Sequence, residues 1–476
     1  MYETVVGLEI HIQLNTASKA FCSDINAFNA KPNTNVSQIS LAHPGTLPKM
    51  NLKHIEKAVL LGLAFGSEIN RYNFFDRKNY FYPDLPKGYQ ITQDKEPFCR
   101  KGEIRYISEG QLKSVRLHHI HMEEDAGKSI HDQHDVFTLV DINRAGVPLL
   151  EIVTEPDFRS GQEVSDFMAE LQKVVQYLHI SDANMEEGAF RCDCNVSVRK
   201  KGSPILGERC EIKNMNSRRF AKSAIEYEAT RQIEVLESGG VIHKTTMLYD
   251  PLANLTKPMR KKESENDYRY FPEPDLPPVV LTQKFLEHIR KDLVALPVDR
   301  YIRLKDQYQL PHADAEFLTE DMTYSDCFFE LANKTSNFKS LSELLISKVI
   351  PYVKTKGIFL GDLGDTDQLL RFIHLIDSNK VSKSAVYQHV FPVWIRDISQ
   401  NPEDISSDLQ LIKSDDQDFL DGLIEQVLQN NPEKVKEYQK GKKGLIGFFM
   451  GQIIQKSGGK ADPKVLQDKM EKMLKI

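Results

Sequence analysis

The sequence predicts an α+β protein, in which an N-terminal cradle domain with a mainly antiparallel or mixed sheet precedes two all-α domains. Short runs that alternate apolar and polar residues, bounded by Gly, Pro, Asn and Asp, fill residues 1 to about 290. Beyond residue 290 these runs stop, and short segments with helical spacing replace them. A polar connector containing Pro402 then interrupts the helical part. We therefore predict domains at 1–290, 291–405 and 406–476.

The elements of the first domain follow from two hydrophobic periods. A period of two predicts strands in VVGLEIHIQL, SVRLHHIHMEED, FTLVDINRAGVPLLEIVT, CDCNVSVRK and PPVVLT. A period near 3.6 predicts helices at 51–65, 160–179 and 217–238, the last of which ends at Gly239–Gly240.

Composition narrows the class of protein. The chain has 476 residues, 40% hydrophobic and 27% charged, which is typical of a globular protein with several cores. No apolar run is long enough for a membrane span, and Met1 leads straight into a strand, so we expect no signal peptide and a cytoplasmic protein. The six cysteines form no CxxC pair and fit reduced thiols. Neither GxxxxGK[ST] nor GxGxxG occurs, so no standard nucleotide motif is present.

Three predicted strands carry acidic residues and histidines. Glu9 and His11 are two residues apart, so their side chains share one face of the first strand. The other strands add His119, His121 and Glu123 on one face, Glu124 on the opposite face, and Glu151 within an apolar run. Carboxylates with one or two imidazoles suit a hard cation such as Mg²⁺. Each residue alone also fits an ordinary strand position, but a carboxylate flanked by VPLL and IVT is costly to bury unpaired.

A basic segment follows. Residues 191–231 contain ten Lys or Arg against five Asp or Glu, in a chain whose net charge is −6. Such a segment suits contacts with an RNA backbone, and a solvated charged surface is the alternative.

Seven motifs, in chain order, resemble the B subunit of aspartyl/glutamyl-tRNA amidotransferase: VVGLEIHIQL, RKNYFYPDLPKGYQIT, HMEEDAGK, DINRAGVPLLEIVTEPD, MEEGAFRCDCNVSVR, EIKNMNS and DYRYFPEPDLPP. The tail NNPEKVKEYQKGKKGLIGFFMGQIIQKSGGKADPKVL is similar to that family's small C-terminal tRNA-binding domain. The resemblance therefore extends from the first strand to the last helix.

The resemblance implies a translation enzyme, an ATP-dependent carbon–nitrogen ligase that uses glutamine as amido donor. In this family, the side-chain carboxylate of Glu on tRNA(Gln) or Asp on tRNA(Asn) is phosphorylated by ATP, and ammonia then displaces the phosphate. ATP and Mg²⁺ are the expected cofactors. The expected partners are misacylated tRNA, the amidase (glutaminase) or A subunit, and the small C subunit of a heterotrimer, with no membrane. The sequence leaves open which of the two tRNAs is the substrate.

The resemblance also implies site residues. The catalytic candidates are Glu9, His11, Glu124 and Glu151, and the Mg²⁺ candidates are His11, Glu123, Glu124 and Glu151. Candidates for the pocket of the aminoacylated 3′ end are Lys78, Tyr80, Tyr82, Lys87, Tyr89 and Gln90, for which plain loop packing is the alternative. Candidates for ATP or the acceptor end are Arg191, Asp193, Asn195 and Lys213. Candidates for the tRNA phosphate backbone are Lys440, Lys442 and Lys443.

One departure from the family concerns zinc. Many relatives carry Cys-x-Cys and Cys-x-x-Cys after the first strand, whereas this chain keeps Cys22 and has Asp24, Ser37 and Ser40 at the other three places. Four thiolates make a strong zinc site and one does not. We therefore expect no structural zinc, and a loop held by packing around Pro44, Leu47 and Pro48.

Two other functions fit the same residues. A metal-dependent phosphoesterase or nuclease would use the Glu/His cluster and hydrolyse its substrate without a partner. A non-catalytic tRNA-binding scaffold would use the cluster only to stabilise its fold.

Overall fold

A computed structural model describes residues 1–131, 133–260, 268–363, 367–378, 380–412, 417–457, 461 and 463–474. It confirms the α+β class, with a sheet-rich N-terminal part and a helical C-terminal part. The chain divides into two compact units, Met1–Arg300 and Tyr301–Ile476. A further division of the helical part near residue 405 stays a prediction.

Seventeen strands are described, all within the first unit. They are β1 (Tyr2–Gln13), β2 (Glu68–Ile69), β3 (Tyr72–Asn73), β4 (Asp76–Asn79), β5 (Tyr89–Thr92), β6 (Cys99–Arg100), β7 (Glu103–Ser108), β8 (Gln111–Glu124), β9 (Lys128–Ile130), β10 (Leu139–Asp141), β11 (Pro148–Thr154), β12 (Phe190–Lys200), β13 (Cys210–Met215), β14 (Thr245–Asp250), β15 (Leu255–Arg260), β16 (Phe271–Pro272) and β17 (Val279–Val280).

The main sheet has the order β15-β14-β13-β12-β1-β11-β8-β6-β2, and β7 pairs with β8. It is mixed, because β13 and β14 are parallel while the pairs around β1 are antiparallel. The first strand therefore lies between β11 and β12, which are more than 130 residues away in the chain. The smaller sheets are β16-β4-β5, β9 with β10 and β3 with β17.

Among the described residues of the first unit there are four α-helices, and a fifth begins there: α1 (Leu52–Ala64), α2 (Gly161–Tyr177), α3 (Arg218–Glu237), α4 (Gln283–Arg290) and α5 (Pro297–Asp306). The first three agree with the predicted helices to within two residues at each end. Ser160 and Ser217 begin α2 and α3 by accepting hydrogen bonds from the amides of Glu163 and Phe220.

The second unit contains the remaining helices: α6 (His312–Leu318), α7 (Met322–Ala332), α8 (Phe338–Leu344), α9 (Ile350–Lys356), α10 (Asp367–Asp377), α11 (Lys383–Ala385), α12 (Phe391–Trp394), α13 (Pro402–Asp408), α14 (Gln417–Gln429), α15 (Pro432–Gln439), α16 (Leu445–Lys456) and α17 (Pro463–Met473). Two π-helical turns, Leu345–Val349 and Val386–Val390, each precede a proline, which lacks an amide donor for the regular helix ladder.

The central sheet has one apolar and one polar face. In β1, Leu8, Ile10 and Ile12 are at most 1% exposed and belong to the same core as Phe167 of α2. Glu9 and His11 alternate with them and point to the other face. That polar face carries the residues described below. None of the helices in the described part of the chain is both long and apolar enough to cross a membrane.

Candidate active site

A row of four polar side chains crosses the polar face of the sheet. Antiparallel register places Arg191 of β12, His11 of β1, Glu151 of β11 and His121 of β8 directly opposite one another. Side chains opposite one another on neighbouring strands point to the same face and can touch. The fold therefore brings His11, Glu151 and His121 together although they come from three distant segments.

Two carboxylates bridge the two imidazoles of this row. Oε2 of Glu151 lies 3.2 Å from Nε2 of His11 and 3.0 Å from Nε2 of His121. Glu123 lies beside them, with Oε1 3.4 Å from Nε2 of His11 and Oε2 3.6 Å from Nε2 of His121. Thr92 donates a hydrogen bond of 3.3 Å to Glu123. All of these groups are largely withdrawn from solvent, so each charge depends on its neighbours.

The pKa values show how strongly these groups depend on one another. Burial alone lowers the pKa of His11, but Glu151 and then Glu123 outweigh it and raise that pKa to about 9. In the same way, burial opposes a charged His121, but Glu151 and Glu123 raise its pKa to about 10. Burial opposes ionisation of Glu151 too, but His121 and His11 hold its pKa well below the usual value. The two imidazoles and the Glu151 carboxylate thus stabilise one another's charged forms.

Glu9 completes one set of metal-ligating groups. Donor atoms of Glu9, His11 and Glu151 all lie within 4.8 Å of one another. Burial and the nearby Glu151 carboxylate raise the pKa of Glu9, so this anion would gain from a neighbouring cation. Two carboxylates and one imidazole, with Glu123 alongside, are a donor set that fits a hard divalent cation such as Mg²⁺.

Glu124 is not part of this cluster. It follows Glu123 in β8 and points to the other side of the strand. Its carboxylate pairs with Lys87 and accepts a 2.9 Å hydrogen bond from the amide of Ile91, while its carbonyl accepts one of 2.6 Å from Gln90. The structure therefore groups Glu124 with the predicted acceptor-end residues rather than with His11.

Aromatic and basic side chains surround Glu124. Lys87 and Tyr89 line a cavity of about 220 Å³ together with Glu124. Nearby on the chain, the Tyr80 ring lies 5.9 Å from that of Tyr82, which is half exposed. Lys78 extends its ammonium over the ring of Tyr268, 4.9 Å from the centroid. Phe21 also lines this cavity.

A larger cavity lies next to the polar row. Its volume is about 580 Å³, and its lining includes Gln13, Lys128, Arg144, Arg191 and Asp193. Nε of Arg191 is buried without a hydrogen-bond partner among the described residues. This cavity thus brings three cationic side chains to the edge of the acidic cluster.

Asp125 holds the side chains at that edge and was missed from the sequence. Its Oδ2 lies 2.9 Å from Arg191 and accepts a 2.8 Å hydrogen bond from Gln13. Burial opposes its ionisation, but Arg191 and Arg144 lower its pKa. Gln13 follows Glu9 and His11 at the same spacing of two residues in β1. The sequence therefore already indicated that Gln13 lies on the polar face.

The other predicted residues of the sheet lie beyond this row, Asp193 one row away and Asn195 two rows away. Asp193 is opposite Glu9 in register and 2.8 Å from Nζ of Lys213. Burial lowers the pKa of Lys213, but the Asp193 carboxylate outweighs it and raises that pKa. Oδ1 of Asn195 is buried with no hydrogen-bond partner in the described part of the chain.

The lysines of the tail lie on the surface of the second unit. Lys442 pairs with Glu437 at 3.0 Å, and Lys443 lies 4.3 Å from the centroid of the Tyr438 ring. Phe449 and Ile453 of α16 are fully buried in the core of this region.

The loop between β1 and α1 is held differently from the prediction. Pro44 and Leu47 are exposed. The prediction that the loop is held by packing around Pro44, Leu47 and Pro48 was therefore wrong. Asp24 instead accepts hydrogen bonds from the amide of Ser37, at 2.8 Å, and from the hydroxyl of Ser40. The loop is thus fixed by polar contacts of Asp24 with Ser37 and Ser40, because a carboxylate can satisfy several donors at once.

Comparison with known proteins agrees with this architecture. Residues 4–287 match the GatB/GatE catalytic domain, and residues 326–474 match the GatB domain. The B subunit of the aspartyl/glutamyl-tRNA(Asn/Gln) amidotransferase of Bdellovibrio bacteriovorus is 42% identical over 476 residues, which cover 99% of either chain. The same subunit of Chlorobaculum tepidum is 44% identical over 474 residues, again 99% of either chain. This chain therefore belongs to the B-subunit family of the aspartyl/glutamyl-tRNA(Asn/Gln) amidotransferases.

Proposed function

We propose that this chain activates the side-chain carboxylate of Glu on tRNA(Gln), of Asp on tRNA(Asn), or of both, for conversion to the amide. Membership of the B-subunit family over nearly the whole chain supports this function. The single observation that carries the residue assignment is the row of His11, Glu151 and His121, with Glu9 and Glu123 in contact with it.

The proposed reaction has two steps, phosphorylation of the carboxylate and displacement of the phosphate by ammonia. A carboxylate oxygen of the misacylated amino acid attacks the γ-phosphorus of ATP, forming an O–P bond as the bond to ADP breaks. Ammonia then attacks the carbonyl carbon of this acyl phosphate, the C–O bond to phosphate breaks, and nitrogen loses a proton. A carboxylate alone would have to expel oxide, which is why the phosphate is needed.

Each group of side chains has a part in this proposal. Glu9, His11, Glu123 and Glu151 would hold Mg²⁺, which when bound neutralises charge on the transferring phosphoryl group. Arg191 has a buried Nε without a described partner beside the 580 Å³ cavity, so it can donate to a phosphate oxygen there. Asp125 orients that guanidinium.

The acceptor end and the tRNA body would bind elsewhere on the chain. Glu124 fixes Lys87 beside Tyr89, and Lys78, Tyr80, Tyr82 and Gln90 extend this pocket for the aminoacylated 3′ end. Asp193, Asn195 and Lys213 remain candidates for ATP or the acceptor end. Lys440, Lys442 and Lys443 would meet phosphates of the tRNA body.

Two partner proteins would complete the reaction. The amidase, or A subunit, would release ammonia from glutamine, and the small C subunit would complete the heterotrimer. We place the complex in the cytoplasm, where aminoacylated tRNA is made and used.

Replacement of Glu151 by Gln tests the assignment. The assembled complex receives Glu-tRNA(Gln) or Asp-tRNA(Asn), ATP, Mg²⁺ and ammonium, and both ADP and amidated aminoacyl-tRNA are measured. We expect Glu151→Gln to reduce both products at least ~100-fold, because an anion that organises transition-state charge is lost, while tRNA affinity is unchanged. The matched control is Glu103→Gln, on the exposed side of β7.

Two results would favour the other functions. Unchanged product formation by Glu151→Gln would support a scaffold role for the cluster. Phosphoester hydrolysis by the chain alone, without aminoacyl-tRNA, would support the phosphoesterase or nuclease.

A further inference from the structure

A second set of metal-ligating groups lies on the opposite side of Glu151. His119 and His121 are two residues apart in β8, so they share the polar face of the sheet. Donor atoms of His119, His121 and Glu151 all lie within 4.8 Å of one another, as do those of Glu9, His11 and Glu151. Glu151 belongs to both sets and lies between them in strand register.

From this arrangement, we propose that His119, His121 and Glu151 form a second divalent-cation site, which takes a first-row transition-metal ion such as Zn²⁺ or Co²⁺. The choice of ion follows from the ligands. Two imidazoles and one carboxylate favour a borderline transition metal, whereas the first set has two carboxylates and one imidazole and favours Mg²⁺. The two sites therefore differ in preference although they share one carboxylate.

The side chains around His119 orient its ring for binding a metal ion. Nδ1 of His119 lies 2.6 Å from Nδ1 of His118, so a hydrogen bond between these two atoms leaves Nε2 of His119 for a metal. A hydrogen bond at one ring nitrogen that fixes the ring is the usual arrangement of a metal-binding histidine. The rings of His119 and His121 are stacked, with centroids 5.3 Å apart and planes at 15°. Both imidazoles can therefore approach one ion from the same strand.

The arginine beside the second set makes its hydrogen bonds elsewhere. Arg100 is opposite His119 in register, but its guanidinium donates to the carbonyl of Lys95 at 2.6 Å and lies 3.8 Å from Glu96. His119 is half-buried, so the site can be reached from solvent.

Glu123 connects the two sets from the other side. One of its carboxylate oxygens is near His11 and the other near His121. Binding at one site therefore alters the charge felt at the other, and we expect a transition metal at the second site to change the apparent affinity for Mg²⁺.

The test measures metal binding to the metal-stripped full-length chain. Zn²⁺ is titrated by calorimetry, and Co²⁺ by its visible absorption, both with excess Mg²⁺ present to fill the first site. We expect one bound equivalent in the wild type. His119→Ala should weaken it at least ~10-fold, since even residues that only orient a ligand change metal affinity by about that much.

Two variants make the result specific. His131→Ala, at an exposed histidine of another hairpin, should bind like the wild type. Glu9→Gln removes a ligand of the first set alone, so it should keep the Zn²⁺ equivalent while losing ATP-dependent product formation. The proposal is overturned if His119→Ala binds Zn²⁺ like the wild type, or if Glu9→Gln weakens Zn²⁺ binding as much as His119→Ala does.

Failure of the second metal site and failure of the proposed function would give different results. Failure of that function would appear as no product from aminoacyl-tRNA and ATP, with Zn²⁺ binding intact. Failure of the second site would appear as Zn²⁺ binding that ignores His119 while product is still formed.

Discussion

His54 makes the stability of the first unit sensitive to acid. It is fully buried in α1, and its Nε2 lies 3.0 Å from the carbonyl oxygen of Leu149, two residues before Glu151. The accepting carbonyl requires the proton on Nε2, and Nδ1 is then buried with no hydrogen-bond partner among the described residues. A second proton would place a charge in a fully buried position, and the Leu149 carbonyl and the Glu123 carboxylate offset only part of the cost. Burial accordingly lowers the pKa of His54 to about 4.

The sign and size of the effect follow from linkage. The folded state keeps His54 neutral below the pH at which the unfolded chain takes up a proton, which is about 6.5. The unfolded state therefore binds more protons between about pH 6.5 and pH 4, and the free energy of unfolding falls as the pH falls through that window. Between pH 7 and pH 5 the loss from this one histidine is about 2 kcal/mol.

His54→Gln isolates this contribution, because an amide keeps a donor for the Leu149 carbonyl but does not titrate. Urea unfolding is followed by far-UV circular dichroism at pH 7, 6 and 5. The wild type should lose about 2 kcal/mol more than the variant over this range. The only tryptophan is Trp394, in the second unit, so its fluorescence transition provides an internal control.

His131→Gln, at an exposed histidine, is the matched control and should follow the wild type at every pH. Parallel pH profiles for wild type and His54→Gln would refute the reasoning, since they would mean that His54 titrates alike in the folded and unfolded states.

Three further predictions concern the loop, the tail and the core. Asp24→Ala removes the acceptor of two hydrogen bonds in the loop after β1, so we expect a loss of about 1–3 kcal/mol in the free energy of unfolding and faster limited proteolysis between residues 14 and 51. The double replacement Lys440→Ala/Lys443→Ala should weaken tRNA binding without base preference and reduce its logarithmic salt slope by about 1–2, measured by filter binding from low to high salt; an unchanged slope would contradict phosphate contacts. Ile10→Ala in the buried face of β1 should cost about 2–5 kcal/mol in urea unfolding, whereas a loss below about 1 kcal/mol would show that the core beneath the site is not closely packed.

Local patterns in the sequence were sufficient for the first three helices and several long strands, but not for the short strands or for the arrangement of the sheet. The helices from 51, 160 and 217 could be predicted because each has a periodic apolar stripe, and the two serines before α2 and α3 are also visible. The row of His11, Glu151 and His121 could not be predicted in the same way. It depends on β1 pairing with two strands more than 130 residues away, and no local period encodes that choice.

Single residues also show that features within one strand could be predicted, whereas contacts between distant segments could not. The period of two correctly placed Glu9 with His11, and Glu123 apart from Glu124, since both statements concern one strand. The packing predicted for Pro44 and Leu47 failed because apolar character alone does not provide a partner surface, and both residues are exposed. Asp125 was missed because its role lies in contacts with Gln13 and Arg191 from other strands.

The precision of the site depends on the apolar face beneath it. His11 and Glu151 alternate with Ile10, Ile12, Leu150 and Ile152, all of which are fully buried. A slip of one residue between β1 and β11 would exchange the two faces, placing carboxylates in the core and isoleucines on the polar surface. Burying even one unpaired carboxylate costs several kcal/mol, so the slipped register is strongly disfavoured. The core therefore aligns the ligands before any metal binds, and substitutions such as Ile10→Ala should disturb metal affinity and stability together.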